Sequence, residues 1–528
     1  MAEFQKLDKT LVIDLGLLIL LATVVRLVGV GVAHLPVGDE MFHILAAQSW
    51  AMEGSLRIAD GSYDRAALFT MMIGELFSIF GDSLVVARIP VLIFGVLWAL
   101  ILFIWVRRSA GRLAAWIAAG LFCTAPHAIE LSLYCRMYTL HGTVFLLGTI
   151  AVYSLLTDHH AISKKLVLVA ASILCFALAI PLQFTTLIGL VGLGTAVFVD
   201  SITQYREFIL ARKYRRWLLL SLTAVAILLA LIFLKLNSDL VSVYLQKFNA
   251  QHFAKQASDI RYYHKLFLSE YPVLWSLFPL LLLIAAYQKP RLTIFCASLF
   301  VVAISLHSLA GAKAERYVYY SLPFLFVIWG IAIAAIAPYL GQFLTEIANR
   351  LSAHSPNLKA TNSFEFLFRS VSISAIVVIM LVSSNSFSRT VNIMRGQSYY
   401  FGTKLSNWEQ VQSQLQPMVD EAPIVLTTNF AKTLYYFGRH DIAISKIIVA
   451  DILGGVEGAT DPRSGRPAIS SVESVQAVFD QNPHGLIVGE QVEWRNPLRM
   501  TGEVTDFIER NATKVSLPAG SRMVAYTW

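Results

Sequence analysis

Charge is what this sequence has least of. Only 14% of its 528 residues are Asp, Glu, Lys or Arg, while 56% are hydrophobic, and the mean hydropathy is +0.62. Soluble domains run closer to a quarter charged, so a string of ordinary soluble domains is excluded for most of the chain. Cysteine is scarce as well. Cys123, Cys135, Cys175 and Cys296 lie in or beside apolar segments without metal-ligand spacing, and read as small core residues. The chain has no G-x-x-x-x-G-K-[ST], no G-x-S-x-G, no H-E-x-x-H and no paired C-x-x-C. These absences argue against an ATP-driven pump, a hydrolase elbow and a zincin. Internal repeats and low-complexity tracts are also missing. Acids are scarce in the middle of the apolar runs, where an ion-coupled transporter usually keeps ionisable groups.

What the chain does have is length in its apolar runs. Leu84–Val106, Trp217–Phe233 and Tyr317–Ala337 can each cross a hydrocarbon core of roughly 30 Å as helices. None shows strand-like alternation, and lipid admits only helices or closed barrels. Candidate spans are 10–32, 84–106, 112–130, 138–157, 165–181, 183–200, 216–236, 271–287, 292–310, 317–338 and 370–388. Thr10–Val32 follows Lys6 and Lys9, is too long for a signal-peptide core and lacks a cleavage site, so it reads as an uncleaved first span.

The net charge of +8 fits a membrane protein better than a nucleic-acid binder, because the basic residues cluster between apolar runs. Alternate connections carry Arg107, Arg108 and Arg112, then Lys164 and Lys165, then Arg206 to Arg216, then Lys289 and Arg291, then Arg350, Lys359 and Arg369. The positive-inside rule places these in the cytoplasm, with the N-terminus, in one phase for all the spans. The other connections, and the tail from about residue 392, then face outward, which in a bacterium is the periplasm.

The first outer loop, 33–83, contains two amphipathic stretches, Glu40–Trp50 and Ala66–Phe80, that read as interfacial helices. In the tail, Pro423–Thr428, Gly485–Val488 and Met523–Trp528 read as strands, with a helix running through Tyr436. The expected fold is a multi-span α-helical membrane protein of about eleven transmembrane helices with a small C-terminal α/β soluble domain. Its expected division is a transmembrane domain, 1–391, and a periplasmic domain, 392–528.

The ionisable groups gather at the outer mouth of the spans, which suits chemistry on a lipid headgroup better than translocation. Gly38-Asp39-Glu40 follows the first span directly. Asp39 can cap the helix that begins there. It can also serve as a general base at the bilayer surface. His43 lies on the same helical face as Asp39 and can orient it or share a metal with it; a plain surface histidine is the simpler reading. Arg57, Arg65, Arg136, Lys313 and Arg316 place positive charge on the side that the inside rule disfavours. Such groups either snorkel to headgroups or converge on a phosphate. Tyr134, Tyr138, Tyr262, Tyr263, Tyr317, Tyr319 and Tyr320 crowd the same ends, as an interfacial belt or as platforms for a sugar.

These residues, in this order, resemble the GT-C glycosyltransferases, and within them the protein O-mannosyltransferase and ArnT-like proteins. The resemblance is carried by Asp39-Glu40 after span one and by Leu76-Phe-Ser-Ile-Phe-Gly81 with Ala87-Arg88-Ile-Pro90. Arg136-Met-Tyr138 resembles the arginine-tyrosine pair of the second outer loop. Glu315-Arg316-Tyr317 with Ser321-Leu322-Pro323 resembles the late arginine-tyrosine-proline segment. It covers roughly 10–340. Where many members carry lysine-proline-proline, this chain reads Tyr63-Asp64-Arg65-Ala66-Ala67, with Arg65 in place of the lysine.

The resemblance implies a polyprenyl-phosphate sugar as donor. It implies a glycolipid such as lipid A, a polysaccharide or a protein as acceptor, and an inverting displacement on the outer face of a bacterial inner membrane. Asp39 would be the base, with Glu40 assisting or binding acceptor. Arg57, Arg65, Arg136, Lys313 and Arg316 would hold the donor phosphate, with His43, Tyr138 and Tyr317 at the substrate. Some members use a divalent ion, for which Asp39, Glu40 and His43 are candidate ligands. Two other readings compete. A lipid or polysaccharide transporter would use a charge at depth such as Arg26, Glu75 or Arg88. A non-catalytic scaffold would tolerate loss of Asp39.

Overall fold

Apolar runs of this length close their own backbone hydrogen bonds only as helices, and helices dominate the computed structural model of the chain. The structure describes residues 9–31, 35–158, 160–204, 259–311, 313–352, 384–396, 399–400, 403–497 and 499–528. Among the described residues, seven helices are long and apolar enough to cross a membrane. The expected span 216–236, and 370–388 up to residue 383, lie outside the described residues.

Two other expected spans are shorter than the sequence suggested. The helix from Arg112 stops at Thr124, because Ala125 is extended before Pro126, and a five-residue helix Pro126–Glu130 follows. The run 271–287 breaks at Leu277 into Pro272–Ser276 and Phe278–Gln288, each with a proline in its first turn. Proline lacks the N–H that a continuous helix would need there.

The chain divides into two compact units. The first comprises 1–28, 94–131 and 138–394. It contains most of α1 (Lys9–Gly31), most of the helix Leu84–Ala110, Arg112–Thr124, Pro126–Glu130, and the long helices Tyr138–Thr157, Ile162–Leu182, Thr186–Gln204, Pro290–Leu309 and Leu322–Ser352. Its basic helix ends are pinned by acids. Asp14 of α1 is fully buried, accepting from Arg107, from Arg112 at 2.7 Å and from the Trp116 indole at 3.1 Å. Asp200 holds Arg291 at 2.6 Å.

The second unit comprises 29–93, 132–137 and 395–528. It contains α2 (Gly38–Glu53), a hairpin of β1 (Arg57–Ile58) and β2 (Gly61–Ser62), α3 (Ala67–Phe80), the first turns of α4 (Leu84–Ala110), and the tail. Helices α2 and α3 pack tightly: a Cβ on Gly74 would meet Trp50 Cδ1 at 2.5 Å and the Ala47 carbonyl at 2.9 Å.

The tail is built on a seven-stranded mixed sheet. Its strands are β3 (Val425–Thr427), β4 (Ile442–Ile444), β5 (Thr460–Asp461), β6 (Arg466–Ile469), β7 (Leu486–Glu490), β8 (Thr513–Lys514) and β9 (Met523–Thr527), in the order β8-β9-β7-β3-β4-β6-β5. The middle pairs β7-β3, β3-β4 and β4-β6 are parallel, and the outer pairs are antiparallel. Both faces are covered, as a central parallel sheet requires. Trp408, Val411, Leu415 and Val419 pack on one face; Val475, Val478, Val504 and Ile508 pack on the other.

Candidate active site

Helix α2 begins where Val37 is extended, and its first turn carries two acids, Asp39 and Glu40, at the end where a helix favours negative charge. The two adjacent residues point into different surroundings. Glu40 is fully buried, and both of its oxygens are occupied. Oε1 accepts from Arg88 Nη2 at 2.7 Å and from the Val37 N–H at 3.0 Å; Oε2 accepts from Arg88 Nε at 3.3 Å and from the Cys135 N–H at 2.9 Å. Glu40 therefore ties α2 to α4 and to the segment 132–137. Its saturated oxygens do not suit the metal-ligand and assisting roles read from the sequence.

Asp39 keeps a side chain 40% exposed. Arg136 Nη1 lies 3.7 Å from its Oδ2 and donates to its backbone carbonyl at 2.6 Å. Arg136 is itself buried, so its charge is fixed beside the accessible carboxylate.

One turn on, His43 is fully buried. Its Nδ1 pairs with Thr70 Oγ1 at 2.9 Å, and its Nε2 has no partner among the described residues. Tyr63 and Phe69 meet the imidazole edge to face at 5.3 Å each. Burial, and then the guanidiniums of Arg136 and Arg65, hold its pKa well below the ordinary value, so it is neutral near pH 7. Asp39, His43, Arg65 and Arg136 thus share one electrostatic neighbourhood. Arg65 is exposed, and Arg57 is exposed on β1 opposite Ser62.

The remaining sequence candidates belong to the first unit. Tyr138 is buried at the start of its helix; its carbonyl accepts from the Tyr319 hydroxyl, and the two rings meet at 5.4 Å. Lys313 is buried and donates to the Ala310 carbonyl at 2.7 Å. Arg316 lies 5.5 Å over the Tyr317 ring, which stacks on His307. The charges proposed for transport are engaged. Arg88 holds Glu40, Glu75 accepts from the Trp50 indole at 2.9 Å, and Arg26 donates to the Ala22 carbonyl at 3.0 Å.

The first unit also holds a cluster that the sequence reading missed. Arg389, on the helix Asn385–Met394, contacts Glu130 at 2.7 Å, Glu270 at 3.0 Å and Glu315 at 3.0 Å. His127 Nε2 lies 2.5 Å from Glu315. Burial, against the pull of Arg389, raises Glu130 to about 7; burial and then Arg389 lower His127 to about 3. His127, Glu130 and Glu315 bring ligand atoms within 4.8 Å of one another, but Arg389 occupies the same Glu130 and Glu315 oxygens. The available signal was an acid at each of three apolar segment ends facing an arginine on an amphipathic helix.

The fold defined by these units is the GT-C fold. ArnT from Cupriavidus metallidurans bound to undecaprenyl phosphate superposes with a TM-score of 0.63 at 14% identity, over 97% of both chains. Its apo state gives 0.60 at 15% identity, over the same shares. The archaeal oligosaccharyltransferase AglB from Archaeoglobus fulgidus, in complex with an inhibitory peptide and a dolichol-phosphate, gives 0.61 at 13% identity, over 98% of this chain and 74% of that one. No protein-family model and no curated protein sequence matches the chain.

Proposed function

We propose that the protein is a membrane glycosyltransferase that moves a sugar from a polyprenyl-phosphate donor to an acceptor hydroxyl outside the cytoplasm. The observation that carries this reading is the partly exposed Asp39 carboxylate, held beside a buried guanidinium in a chain with the fold of lipid-phosphate-bound structures. Asp39 removes the proton from the acceptor hydroxyl, whose oxygen attacks the anomeric carbon from the face opposite the phosphate. The bond from that carbon to the phosphate oxygen breaks, polyprenyl phosphate departs, and the configuration inverts. Arg65 and Arg136 neutralise the charge that develops on the leaving group. A lipid-borne donor suits an outward-facing site, where nucleotide sugars are not expected.

In this reading 1–391 form the catalytic membrane part and 392–528 an outer part, in a bacterial inner membrane with the site on the periplasmic side. The acceptor is a glycolipid, a polysaccharide or a protein. The test is deletion of the gene and complementation with wild type or Asp39→Asn, followed by mass spectrometry of glycolipids, surface polysaccharide, glycoproteins and polyprenyl-phosphate sugars. One class should lose a defined sugar, the matching lipid donor should accumulate, and wild type alone should restore the sugar. Full restoration by Asp39→Asn would overturn the assignment. Lys313→Ala and Arg316→Ala in the same strain test the phosphate role expected of the first unit.

A further inference from the structure

One loop of the tail docks on the first outer loop, backbone against backbone. It is the connection between β5 and β6, residues 461–466. The Asp60 N–H donates to the Ser464 carbonyl at 3.2 Å, and the Ser62 N–H to the Pro462 carbonyl at 3.0 Å. Arg466 pairs with Asp60 at 2.8 Å. No side chain fits between the two turns. A Cβ on Gly61 would fall against the Arg463 backbone, and one on Gly465, whose φ is +68°, would meet the Asp60 carbonyl carbon at 2.5 Å.

The docked loop presents Arg463. Its guanidinium lies 5.4 Å over the ring of Phe42 and 5.3 Å over the ring of Phe430. Phe42 is three residues after Asp39 on α2, on the same helical face. Asp461, fully buried, fixes the guanidinium from one side: it accepts from Nε at 3.0 Å and from Nη2 at 2.6 Å. Nη1 makes no hydrogen bond among the described residues, and the side chain is 30% exposed. The two rings and the bidentate carboxylate thus hold a rigid donor edge that stays open beside Phe42, three residues along α2 from Asp39. Asp461 cancels the charge, so the open edge offers paired N–H donors without the net positive field that would favour an oxyanion. Vicinal hydroxyls of a neutral sugar match that edge.

We infer that Arg463 is an acceptor-binding residue, and that its open guanidinium edge grips two adjacent hydroxyls of a saccharide acceptor and sets a third group at Asp39. This rests on the transferase reading of Asp39 and names the acceptor class within it.

The test is saturation-transfer NMR on the full chain in lipid nanodiscs, with methyl α-D-mannopyranoside and methyl β-D-glucopyranoside as neutral probes and inorganic phosphate as competitor. At least one glycoside should show transfer on wild type. Its signal should fall roughly fivefold or more in Arg463→Gln and in Arg463→Lys, as loss of a hydrogen-bonded pair implies. Phosphate should not displace it. Lysine keeps a cation over the two rings but not the fork, so Arg463→Lys, melting like wild type, separates recognition from folding. No glycoside signal on wild type, a signal that survives in Arg463→Lys, or displacement by phosphate each overturns the inference. Asp39→Asn should keep the glycoside signal. Glycoside binding in a protein that transfers no sugar would leave the subsite standing and remove the transferase reading, so the two failures are distinct.

Discussion

Two regions of this chain gather acids and guanidiniums, and they balance them differently. Around α2 the buried acids are matched one to one: Glu40 with Arg88, and Asp461 with Arg463. Asp39 is left half-open to solvent there. Around the helix Asn385–Met394, three carboxylates of low exposure share Arg389. Burying a charge is costly unless it is paired; the first arrangement leaves one carboxylate partly exposed, while the second is short of positive charge and makes a proton welcome on Glu130. A partly exposed carboxylate and a structural knot can therefore be built from the same residue types. What separates them is exposure and pairing, not composition.

The sharpest way to break the comparison is within one dipeptide. Asp39→Asn should lower sugar transfer by roughly 10²–10⁴-fold, the usual range for a general base, with the melting temperature unchanged. Glu40→Gln should do the reverse at first sight. It strips the Arg88 guanidinium of its buried partner and should destabilise the protein by about 3–5 kcal/mol, read from melting in nanodiscs. Equal stability of the two variants would mean that the pairing does not distinguish them.

Arg389→Met carries the same logic to the other region. It leaves Glu130, Glu270 and Glu315 without their shared cation and should cost about 3–5 kcal/mol, or force protons onto the carboxylates. The accompanying sign is an increase in the pH dependence of stability.

That pH dependence is the third prediction. Glu130 holds its proton more tightly in the folded chain, with a pKa of about 7 against an ordinary 4.5, and burial is the first cause. Between those values the folded state binds more protons than the unfolded one. Stability should then fall as pH rises through the window, by on the order of 1–3 kcal/mol, and level off above it. Glu130→Gln should flatten the profile between pH 5 and pH 7.5. An unchanged slope in that variant would show that another group supplies the proton.

How much of this was readable beforehand follows from the range of each interaction. Periodicity and apolar length are local, so the helices α2 and α3 lie where the amphipathic stretches of the first loop suggested, and β3, β7 and β9 lie on the apolar runs of the tail. The solved structures share the fold at low identity. Pairings across the chain leave no such trace. Arg88 reads as part of a span end until Glu40, 48 positions earlier, is seen to hold it. Asp14 was overlooked because one acid barely perturbs the hydropathy of α1, and Arg463 because a 461–466 turn looks like any turn. Proline positions at 126, 272 and 279 did carry a signal that two runs would break, and average hydropathy outweighed it.

The smallest effect lies one turn from Asp39. His43 makes a single hydrogen bond through Nδ1, to Thr70, and lies against two aromatic edges with no water-facing surface. Thr70→Val keeps the shape of the side chain and removes that partner, leaving both imidazole nitrogens unsatisfied in a buried site. The expected cost is about 1–3 kcal/mol, and Thr70→Ser, which retains the hydroxyl, should recover most of it. Because burial, and then the neighbouring guanidiniums, already keep His43 neutral, the loss should be the same at pH 6 and pH 8. A loss that shrank on acidification would mean instead that the folded chain takes up a proton on the imidazole once Thr70 is gone. It would then join Arg65 and Arg136 as a third positive group beside Asp39.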